Sequence, residues 1–480
     1  MNLQKDSVRP LNSGAVKAYA AIAGIVIILM MLFGLVMRMT QAQMLPIEPN
    51  VFYQLLTAHG IGMVAIAGLG GSAVMWHFLG KYVRLRSGFA WANLAFFLVG
   101  VVLVLGGIFL GGFAAAWTFL YPLPTHAMGM WSKHAAAAYM AGVLLVGVGM
   151  LLFYLETARA IVQQYGSFAR SLGWHFLKSG QDAPPATVIA STVVTVINII
   201  SILVGAVILS MMLINLYVPE IAINSLLAKN LIFLFGHVFI NSTIYMAVIA
   251  VYEILPQYTG RPWNVYKPFV LAWSATCLMV LAVYPHHLLM DYAQPLWMHI
   301  MGQIISYTSS LPVLALTLTA TLGSIYRSNI KWDLTSALLV LSIFGWSAGV
   351  IPAVIDGTIA VNQVMHNTLW VPGHFHLYLL LGCVPMILAF IRWIANREKP
   401  AGFGILEGTM LWTFGCSAFA YALMFLLSGQ ASIPRRWAIH LPEWLLYSQV
   451  ASLFAAGVVI SATVIIVRAL GGISRTAQRV

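Results

Sequence analysis

The residues in this chain best suited to chemistry are histidines that lie near the ends of strongly apolar segments. They are His59, His237, His286, His287, His374 and His376. Residues two apart on an α-helix point about 200° away from each other, so one helix can present His374 and His376 to two different groups. The adjacent His286 and His287 lie about 100° apart on a helix and can serve one metal. Neutral imidazole binds haem iron, non-haem iron and copper, and ionisable side chains inside a membrane usually mark a working site.

The composition indicates which elements carry these histidines. The chain is 61% hydrophobic and 8% charged, with a mean hydropathy of +0.90. Soluble domains carry about 25% charged residues, so this chain is predicted to be an all-α, polytopic membrane protein. The net charge of +12 does not indicate a nucleic-acid partner, because basic residues of membrane proteins collect in cytoplasmic loops. Cys277, Cys383 and Cys416 are widely spaced in apolar segments, which argues against disulfide or thiol chemistry.

Twelve apolar segments are long enough to span a bilayer, which takes about 20 residues each. We predict helices over 15–40, 52–78, 88–113, 131–155, 187–216, 228–255, 267–288, 297–326, 335–360, 368–395, 404–429 and 446–469. The connections between them are short, so we interpret residues 1–480 as a single integral membrane domain. The first apolar run is long enough to span, which favours a retained helix over a cleaved signal peptide.

Lysine and arginine set the orientation of this bundle. With the N-terminus in the cytoplasm, nineteen basic residues fall in inner segments, among them Lys5, Arg9 and Arg479 near the chain ends. Five fall in outer segments, namely Arg38, Lys133, Lys229, Arg435 and Arg436. This strong positive-inside bias predicts that both termini are cytoplasmic. It also places all six histidines in the outer half of the membrane at similar depth, as a shared site requires.

The motifs around the histidines resemble subunit I of the heme–copper oxidase superfamily, which also includes nitric oxide reductases. The resemblance covers nearly the whole chain and is carried by YQLLTAHG (53–60), WTFLYPLP (117–124), LFGHVFINSTIYMAVIAVYEILPQYTG (234–260), YPHHLLMDYAQPLW (284–297), HNTLWVPGHFHL (366–377) and IPRRW (433–437). The last two motifs are most similar to the B-type branch of the oxidases. The resemblance implies the heme–copper oxidase subunit I fold, an oxidoreductase, two haems and one non-haem metal.

The resemblance also implies a role for each of the six histidines. His59 and His376 are expected to ligate a low-spin haem from its two faces. His374 is expected to be the single axial ligand of a high-spin haem, whose other face stays open for a gas. The non-haem metal opposite that face is expected to be held by His237, His286 and His287.

Three further residues are expected to contact haem propionates. Arg435 and Arg436 fit the family's propionate clamp, since guanidinium groups pair well with carboxylates. His366 precedes His374 by eight residues and is also expected to reach a propionate. A lipid headgroup is the alternative partner for the two arginines.

One position departs from the oxidases that the chain resembles. Oxidases of the A- and B-type branches carry a tyrosine four residues after the first metal-binding histidine and cross-linked to it. Residues i and i+4 share a helical face, so Asn241 occupies that place relative to His237. Asparagine cannot supply the phenolic electron and proton used in cleaving O2, whereas 2 NO + 2 e⁻ + 2 H⁺ → N2O + H2O needs neither. Asn241 is therefore a candidate catalytic residue together with His237, His286 and His287.

Further differences from the B-type oxidases bear on the proton supply and on the identity of the non-haem metal. Alignment on the histidines places Val248, Val313 and Leu316 where B-type oxidases have hydroxyl groups of a cytoplasmic proton path. Impaired uptake from the cytoplasm, with entry from the outer face, is therefore predicted. A rerouted path stays open through Ser242, Thr243, Thr317 or Thr319. Three imidazoles without a nearby carboxylate slightly favour copper over iron, since Glu253 lies far along the helix.

The leading interpretation is the catalytic subunit of a nitric oxide reductase in a bacterial or archaeal cell membrane. The alternative is a B-type cytochrome c oxidase, and a transporter with structural histidines is a third. Haems of the b type are favoured over the a type. The chain has no CxxCH motif and no CuA-type cysteine pair, so electrons must come from a partner. We expect a subunit II with an outer CuA or cytochrome c domain near Trp437, and a soluble donor such as cytochrome c.

Overall fold

The computed structural model describes residues 13–179 and 182–477, and within them the chain is all-helical. The α-helices are α1 (Ser13–Gln41), α2 (Pro49–Leu79), α3 (Ser87–Leu105), α4 (Lys133–Tyr165), α5 (Phe168–Ser171), α6 (Trp174–Ser179), α7 (Ala186–Tyr217), α8 (Ser225–Thr259), α9 (Lys267–Ala282), α10 (Leu296–Thr308), α11 (Leu311–Ile325), α12 (Leu334–Asp356), α13 (Ile359–Met365), α14 (Trp370–His376), α15 (Val384–Ala395), α16 (Ile405–Gln430) and α17 (Leu445–Ala477). The π-helical and 3-10 segments are Gly106–Leu110, Tyr284–Leu288, Leu377–Cys383 and Pro442–Trp444.

Twelve helical spans in the described residues are long and apolar enough to cross a membrane. Helices suit this solvent because they satisfy every backbone hydrogen bond internally. The predicted all-α architecture with twelve spans is confirmed, and each predicted segment overlaps one span. The largest boundary shift is at α4, which continues from its predicted end at 155 to Tyr165. Gly166, with φ of 81°, ends that helix in the left-handed conformation that glycine adopts readily.

The ends of the chain are less completely described. Lys5, Arg9 and Arg479 lie outside the described residues. An even number of described spans returns the chain to the side from which it started. The cytoplasmic placement of both termini and the interpretation of residues 1–480 as one domain stay predictions.

The histidine-bearing spans lie at the centre of the bundle. In the most apolar window of span Trp370–Ala395, 83% of the residues are buried, against 28% for Ile405–Gln430. Span Pro49–Leu79 is next, at 72%. Neighbouring helices enclose these two spans on most sides, so their polar side chains face protein and not lipid.

Irregular backbone occurs where the central spans face the interior. The span containing α10 and α11 is interrupted at Ser309–Ser310, where Pro312 in the first turn of α11 lacks the N–H of a continuous ladder. A π-helical segment, Leu377–Cys383, follows His376 directly. Irregular helices at membrane depth occur where they line a cavity, and π-helical turns are frequent at functional sites.

Candidate metal and cofactor site

A cavity of about 910 Å³ lies inside the bundle, and all six predicted histidines line it. They come from three spans and one helix end. His59 lies on α2, His237 on α8, and both His374 and His376 on α14. The 3-10 turn that ends the α9 span supplies the adjacent pair, His286 and His287. Residues separated by up to 317 positions in the chain therefore face one enclosed space.

Three of the histidines form a compact trio, His237, His286 and His287. Their ring centres lie 4.4–4.8 Å apart, and Nδ1 of His237 is 2.7 Å from Nε2 of His287. One nitrogen from each ring lies within 4.8 Å of the others. Metal–imidazole bonds of about 2 Å hold ligating nitrogens about 3–4 Å apart, so small side-chain adjustments fit the trio to one ion.

The trio contains only nitrogen ligands. Among residues 13–179 and 182–477 it is the only group of three or more His, Cys, Asp or Glu side chains placed to hold a metal, and no carboxylate belongs to it. Glu253, the acid on α8, is bound by the Tyr82 hydroxyl at 2.9 Å and by Thr187 near the other end of the helix. A three-imidazole set suits copper well, although it does not exclude iron.

His59 and His376 face each other across a different part of the cavity. Their ring centres are 6.3 Å apart and the rings are nearly parallel, at 17°. Two metal–nitrogen bonds of about 2 Å each, plus roughly 1 Å from each nitrogen to its ring centre, span about 6 Å. The pair therefore has the separation that one iron atom between two imidazoles requires. Gly34 allows this placement, because a Cβ there would lie 3.1 Å from Cε1 of His59.

Backbone carbonyls fix the proton positions on this facing pair. Nδ1 of His59 lies 2.7 Å from the Met30 carbonyl oxygen, and Nδ1 of His376 lies 2.6 Å from that of Pro372. A carbonyl oxygen only accepts, so both Nδ1 atoms carry the hydrogen. Both Nε2 atoms then keep a free lone pair, and such hydrogen bonds orient a ligating histidine.

His374 and His376 point toward opposite flanks of α14, as their spacing predicts. His376 packs against Phe425, with ring centres 4.8 Å apart, on the side of His59. His374 lines the same cavity as the trio, and its ring centre is 5.7 Å from that of Tyr378. Its Nδ1 is buried without a hydrogen-bond partner among the described residues. One helix thus faces two separate sites, and Phe375 lies between them.

Two arginines line the cavity and form no ion pair within the described residues, although the carboxyl of Asp356 acts on Arg435 at longer range. Within the described residues no Asp or Glu oxygen lies within 4 Å of Arg435 or Arg436. Arg436 donates to the Thr118 hydroxyl at 2.9 Å, and the Arg435 backbone N–H to the Asn367 carbonyl at 3.0 Å. Burial and the neighbouring Arg436 lower the pKa of Arg435 to about 10. Two adjacent, partly dehydrated guanidinium groups fit carboxylates, as the predicted propionate contacts require.

His366 lies beside these arginines and close to the trio. Its ring centre is 6.4 Å from that of His287, and its Nδ1 is 3.3 Å from Nδ2 of Asn362. Burial, followed by the charges of Arg435 and Arg436, lowers the pKa of His366 to about 3. The imidazole is therefore neutral at physiological pH and can act as a hydrogen-bond donor to a carboxylate.

Arg38 is a residue of the site to which the sequence analysis gave no role. It lies within α1, is 2% exposed and lines the cavity. Nη1 donates to Oε1 of Gln41 at 2.7 Å, whereas Nε and Nη2 are buried without a partner. The guanidinium carbon lies 4.5 Å from the centre of the Phe425 ring. Unpaired buried donors are costly, so their presence indicates an acceptor on the group held by His59 and His376. An arginine inside an apolar segment was the available signal.

Asn241 contacts the trio directly. Its side-chain amide lies 3.4 Å from Nε2 of His237, one helical turn away, and it lines the cavity. If Nδ1 of His237 binds a metal, Nε2 must carry the hydrogen and donate it. Asn241 then presents its carbonyl oxygen to His237, because the two ends of an amide are interchangeable by rotation. That orientation leaves the NH2 group for the cavity.

The predicted apolar barrier lies on the other side of Asn241. Val248 and Val313 are 0% and 1% exposed. Of the side chains named for a rerouted path, Thr317 pairs with Tyr252 at 3.0 Å, and Thr319 bonds to the Ala315 carbonyl. These hydrogen bonds do not link the two threonines to the trio.

These features define a membrane-embedded protein with two histidine sites around one cavity. The family model for Cytochrome C and Quinol oxidase polypeptide I matches residues 14–472, and the chain belongs to this family, as the catalytic subunit I of a heme–copper oxidase. Members of the family bind two haems and a further metal, and the trio is a histidine cluster of the kind that can hold one metal.

Curated relatives are similar over most of their length. Cytochrome c oxidase subunit 1 of Thermostichus vulcanus is 25% identical over 428 residues, covering 83% of this chain and 72% of the relative. Cytochrome c oxidase subunit 1 of Thermus thermophilus is 23% identical over 80% and 69% of the two chains. Quinol oxidase subunit 1 of Sulfolobus acidocaldarius is 24% identical over 78% and 73%. These prokaryotic relatives are named as oxidase subunits.

A solved structure confirms the fold. A heme–copper terminal oxidase dimer, determined by cryo-EM, has a TM-score of 0.79 and 19% sequence identity, covering 96% of this chain and 83% of that chain. The heme–copper oxidase subunit I fold predicted from the motifs is thereby confirmed.

Proposed function

We propose that this chain is the catalytic subunit of a membrane nitric oxide reductase, converting 2 NO to N2O and water. The single observation that supports this is Asn241, which contacts His237 at 3.4 Å in the place where an oxidase carries its phenol. Reduction of NO needs two electrons and two protons but no electron from the protein. An asparagine is therefore sufficient for NO, whereas O2 cleavage loses a redox partner.

The residues of the proposed centre divide the work between two sites. His59 and His376 would hold the low-spin haem, and His374 would hold the high-spin haem. The trio would hold the non-haem metal, with copper slightly favoured over iron and b-type haems over a-type. When bound, these groups would store electrons and bind the gas. Arg435, Arg436 and His366 would contact the haem propionates at the rim of the cavity.

In this proposal Asn241 orients the His237 ring and donates a hydrogen bond to the gas. Its carbonyl oxygen accepts from Nε2–H of His237, which holds the ring with Nδ1 toward the metal. Its NH2 group points into the cavity and donates a hydrogen bond to the bound gas. Phe233 stacks on His287 with ring centres 4.9 Å apart and covers one side of the trio. Apolar walls of this kind strengthen such hydrogen bonds.

Reduction of O2 by a cytochrome c oxidase is the second candidate. It is favoured by the curated relatives, which are named cytochrome c or quinol oxidase subunits. An oxidase would need another phenol near the centre. Tyr378 lines the cavity, and its ring centre is 5.7 Å from that of His374. Variation at Tyr378 therefore belongs in any test of the O2 reaction.

Electron delivery requires a partner in either case. The relatives are subunits by name, and we propose a subunit II with an outer CuA or cytochrome c domain, supplied by a soluble donor. Trp437, 49% exposed beside the arginine pair, is the proposed docking point. The location that follows is a bacterial or archaeal cell membrane.

The deciding experiment compares NO and O2 turnover by the same purified complex, with metal analysis of that sample. We expect N2O formation to exceed O2 consumption by at least tenfold. Asn241→Tyr should shift the ratio toward O2, and Asn241→Leu should slow NO turnover and alter the metal-site spectrum. Asn215→Leu is the matched control, because the Asn215 amide does not line the cavity and donates to the Ile221 carbonyl at 2.7 Å. Faster reduction of O2 than of NO by the unmodified complex would reject the proposal and establish the oxidase.

A further inference from the structure

One ion pair connects the cavity with the outer surface. Nζ of Lys229 donates to Oδ2 of Asp291 at 2.8 Å, and both side chains line the cavity. They remain partly accessible, with 30% and 15% of their side chains exposed. Asp291 lies in the outer connection between two spans, where the neighbouring Tyr292 is 79% exposed. The pair therefore lies between water and the trio.

The pair is also in register with the trio along α8. Lys229, Phe233, His237 and Asn241 follow one another at four-residue spacing, so they share one face of the helix, and all four line the cavity. Eight residues separate Lys229 from His237, about 12 Å at 1.5 Å per residue. A single aromatic ring, that of Phe233, occupies the interval.

The inner side offers a longer route. Glu253 is the only acid on α8 and lies sixteen residues from His237, about 24 Å away. Lys229 is half as far from His237 along the same helix. Lys229 and its partner Asp291 line the cavity, whereas Glu253 does not.

We propose that Lys229 and Asp291 form the entry for the protons consumed at the centre, taken from the outer aqueous phase. This rests on the proposed function only in requiring that gas reduction in the cavity consumes protons. Asp291 accepts a proton from outer water, which loosens its bond to Lys229. Release of that proton into the cavity restores the carboxylate and the pair. Two such cycles supply the two protons for 2 NO + 2 e⁻, with electrons from an outer one-electron donor.

The groups around Asp291 allow this cycle. Burial opposes ionisation, but hydrogen bonds from Lys229 and from the Ala293 backbone N–H hold the pKa of Asp291 below its usual range. His299 lies nearby, and its Nε2 bonds to the Asp291 carbonyl oxygen at 3.1 Å. The resting carboxylate is therefore charged and holds a proton only briefly, so a proton that it takes from outer water is released readily, and Lys229 provides an adjacent donor.

The test uses the whole complex in liposomes with its outer face outward, cytochrome c outside, and pH dyes in both compartments. NO turnover should alkalinise only the outside and generate no membrane potential. Asp291→Asn should slow turnover at least tenfold with unchanged haem spectra, and Asp291→Glu should restore most of it. Formic acid added outside should rescue Asp291→Asn, which a purely structural role would not permit. Lys229→Gln is the second variant if Asp291→Asn fails to assemble.

The ion pair of Glu407 provides a control outside the cavity. Glu407→Gln removes a comparable ion pair, Arg392 to Glu407 at 2.6 Å, away from the cavity, and should change turnover less than twofold. Alkalinisation inside the liposomes, or Asp291→Asn turning over at the normal rate, would overturn the entry route. If the complex reduces O2 but not NO while still drawing protons from outside, the reductase assignment fails and the entry route stands.

Discussion

The buried guanidinium of Arg38 predicts a measurable shift in the potential of the low-spin haem. Its carbon lies 4.5 Å from the Phe425 ring centre, which lies 4.8 Å from that of His376. These two distances put the positive charge within about 9.3 Å of the axial ligand. A positive charge there stabilises the reduced haem, which carries one electron more. At an effective dielectric constant of about 20, the interaction is about 1.8 kcal/mol.

Arg38→Met removes the charge and approximately preserves the length of the side chain. The interaction energy corresponds to about 80 mV for one electron, since 59 mV is a tenfold change in equilibrium. We therefore expect the midpoint potential to fall by about that amount in a spectroscopic redox titration. Arg261→Met is the matched control, because Arg261 is exposed and bonds to the carbonyls of Gly323 and Arg327.

An unchanged haem potential would refute the predicted effect of Arg38. A midpoint within about 20 mV of the unmodified complex, with intact low-spin absorbance, would mean that Arg38 does not act on this haem. Loss of the low-spin absorbance itself would indicate a role in holding the group. Either outcome would test the effect of the Arg38 charge independently of the assignment of His59 and His376 as haem ligands.

Two further predictions concern stability. Gly142→Ala should lower the melting temperature of the complex, because a Cβ there would lie 2.5 Å from the Gly100 carbonyl oxygen. Gly147→Ala, on the same helix, is the control and should not lower it, because the nearest atom to its Cβ is 3.9 Å away. Equal melting temperatures for the two variants would contradict the close packing of α3 on α4. Burial, and then the charge of Arg38, lower the pKa of His440 to about 3. Because the unfolded state then binds the proton more readily, stability should fall as pH drops below about 6.5, and His440→Gln should flatten that fall in melting curves between pH 7 and 4. Parallel curves would show that His440 does not contribute.

Much of the architecture follows from the sequence because a membrane restricts which backbone structures can cross it. An apolar run of spanning length has one stable form, so the twelve spans were predictable within a few residues at most ends. The end of α4 was not predictable in this way, because its last turns before Tyr165 are polar. The helix continues through them and ends at Gly166. The interruption at Ser309–Ser310 was also missed, although the polar run over residues 306–310 and the following Pro312 were signals for it.

The candidate site was predictable in its members but not in its distances. The spacing of His374 and His376 indicated opposite flanks, and the structure shows one facing His59 and the other facing the trio. Arg38 was counted only for its charge, so its place in the last turn of the first span was not connected with the site. Nothing in local sequence places Lys229 against Asp291, since 62 residues separate them and only tertiary packing brings them together.

The π-helical segment Leu377–Cys383 allows the two halves of its span to differ in rotational phase. An α-helix advances about 100° per residue, and a wider turn absorbs one residue more than an α-turn does. The half that carries His374 and His376 is therefore rotated relative to the half, Val384–Ala395, that packs deep in the bundle. Substitutions in the packed half can optimise burial without turning the histidines away from their partners. Ligand geometry and membrane packing can thus be selected separately within one continuous helix.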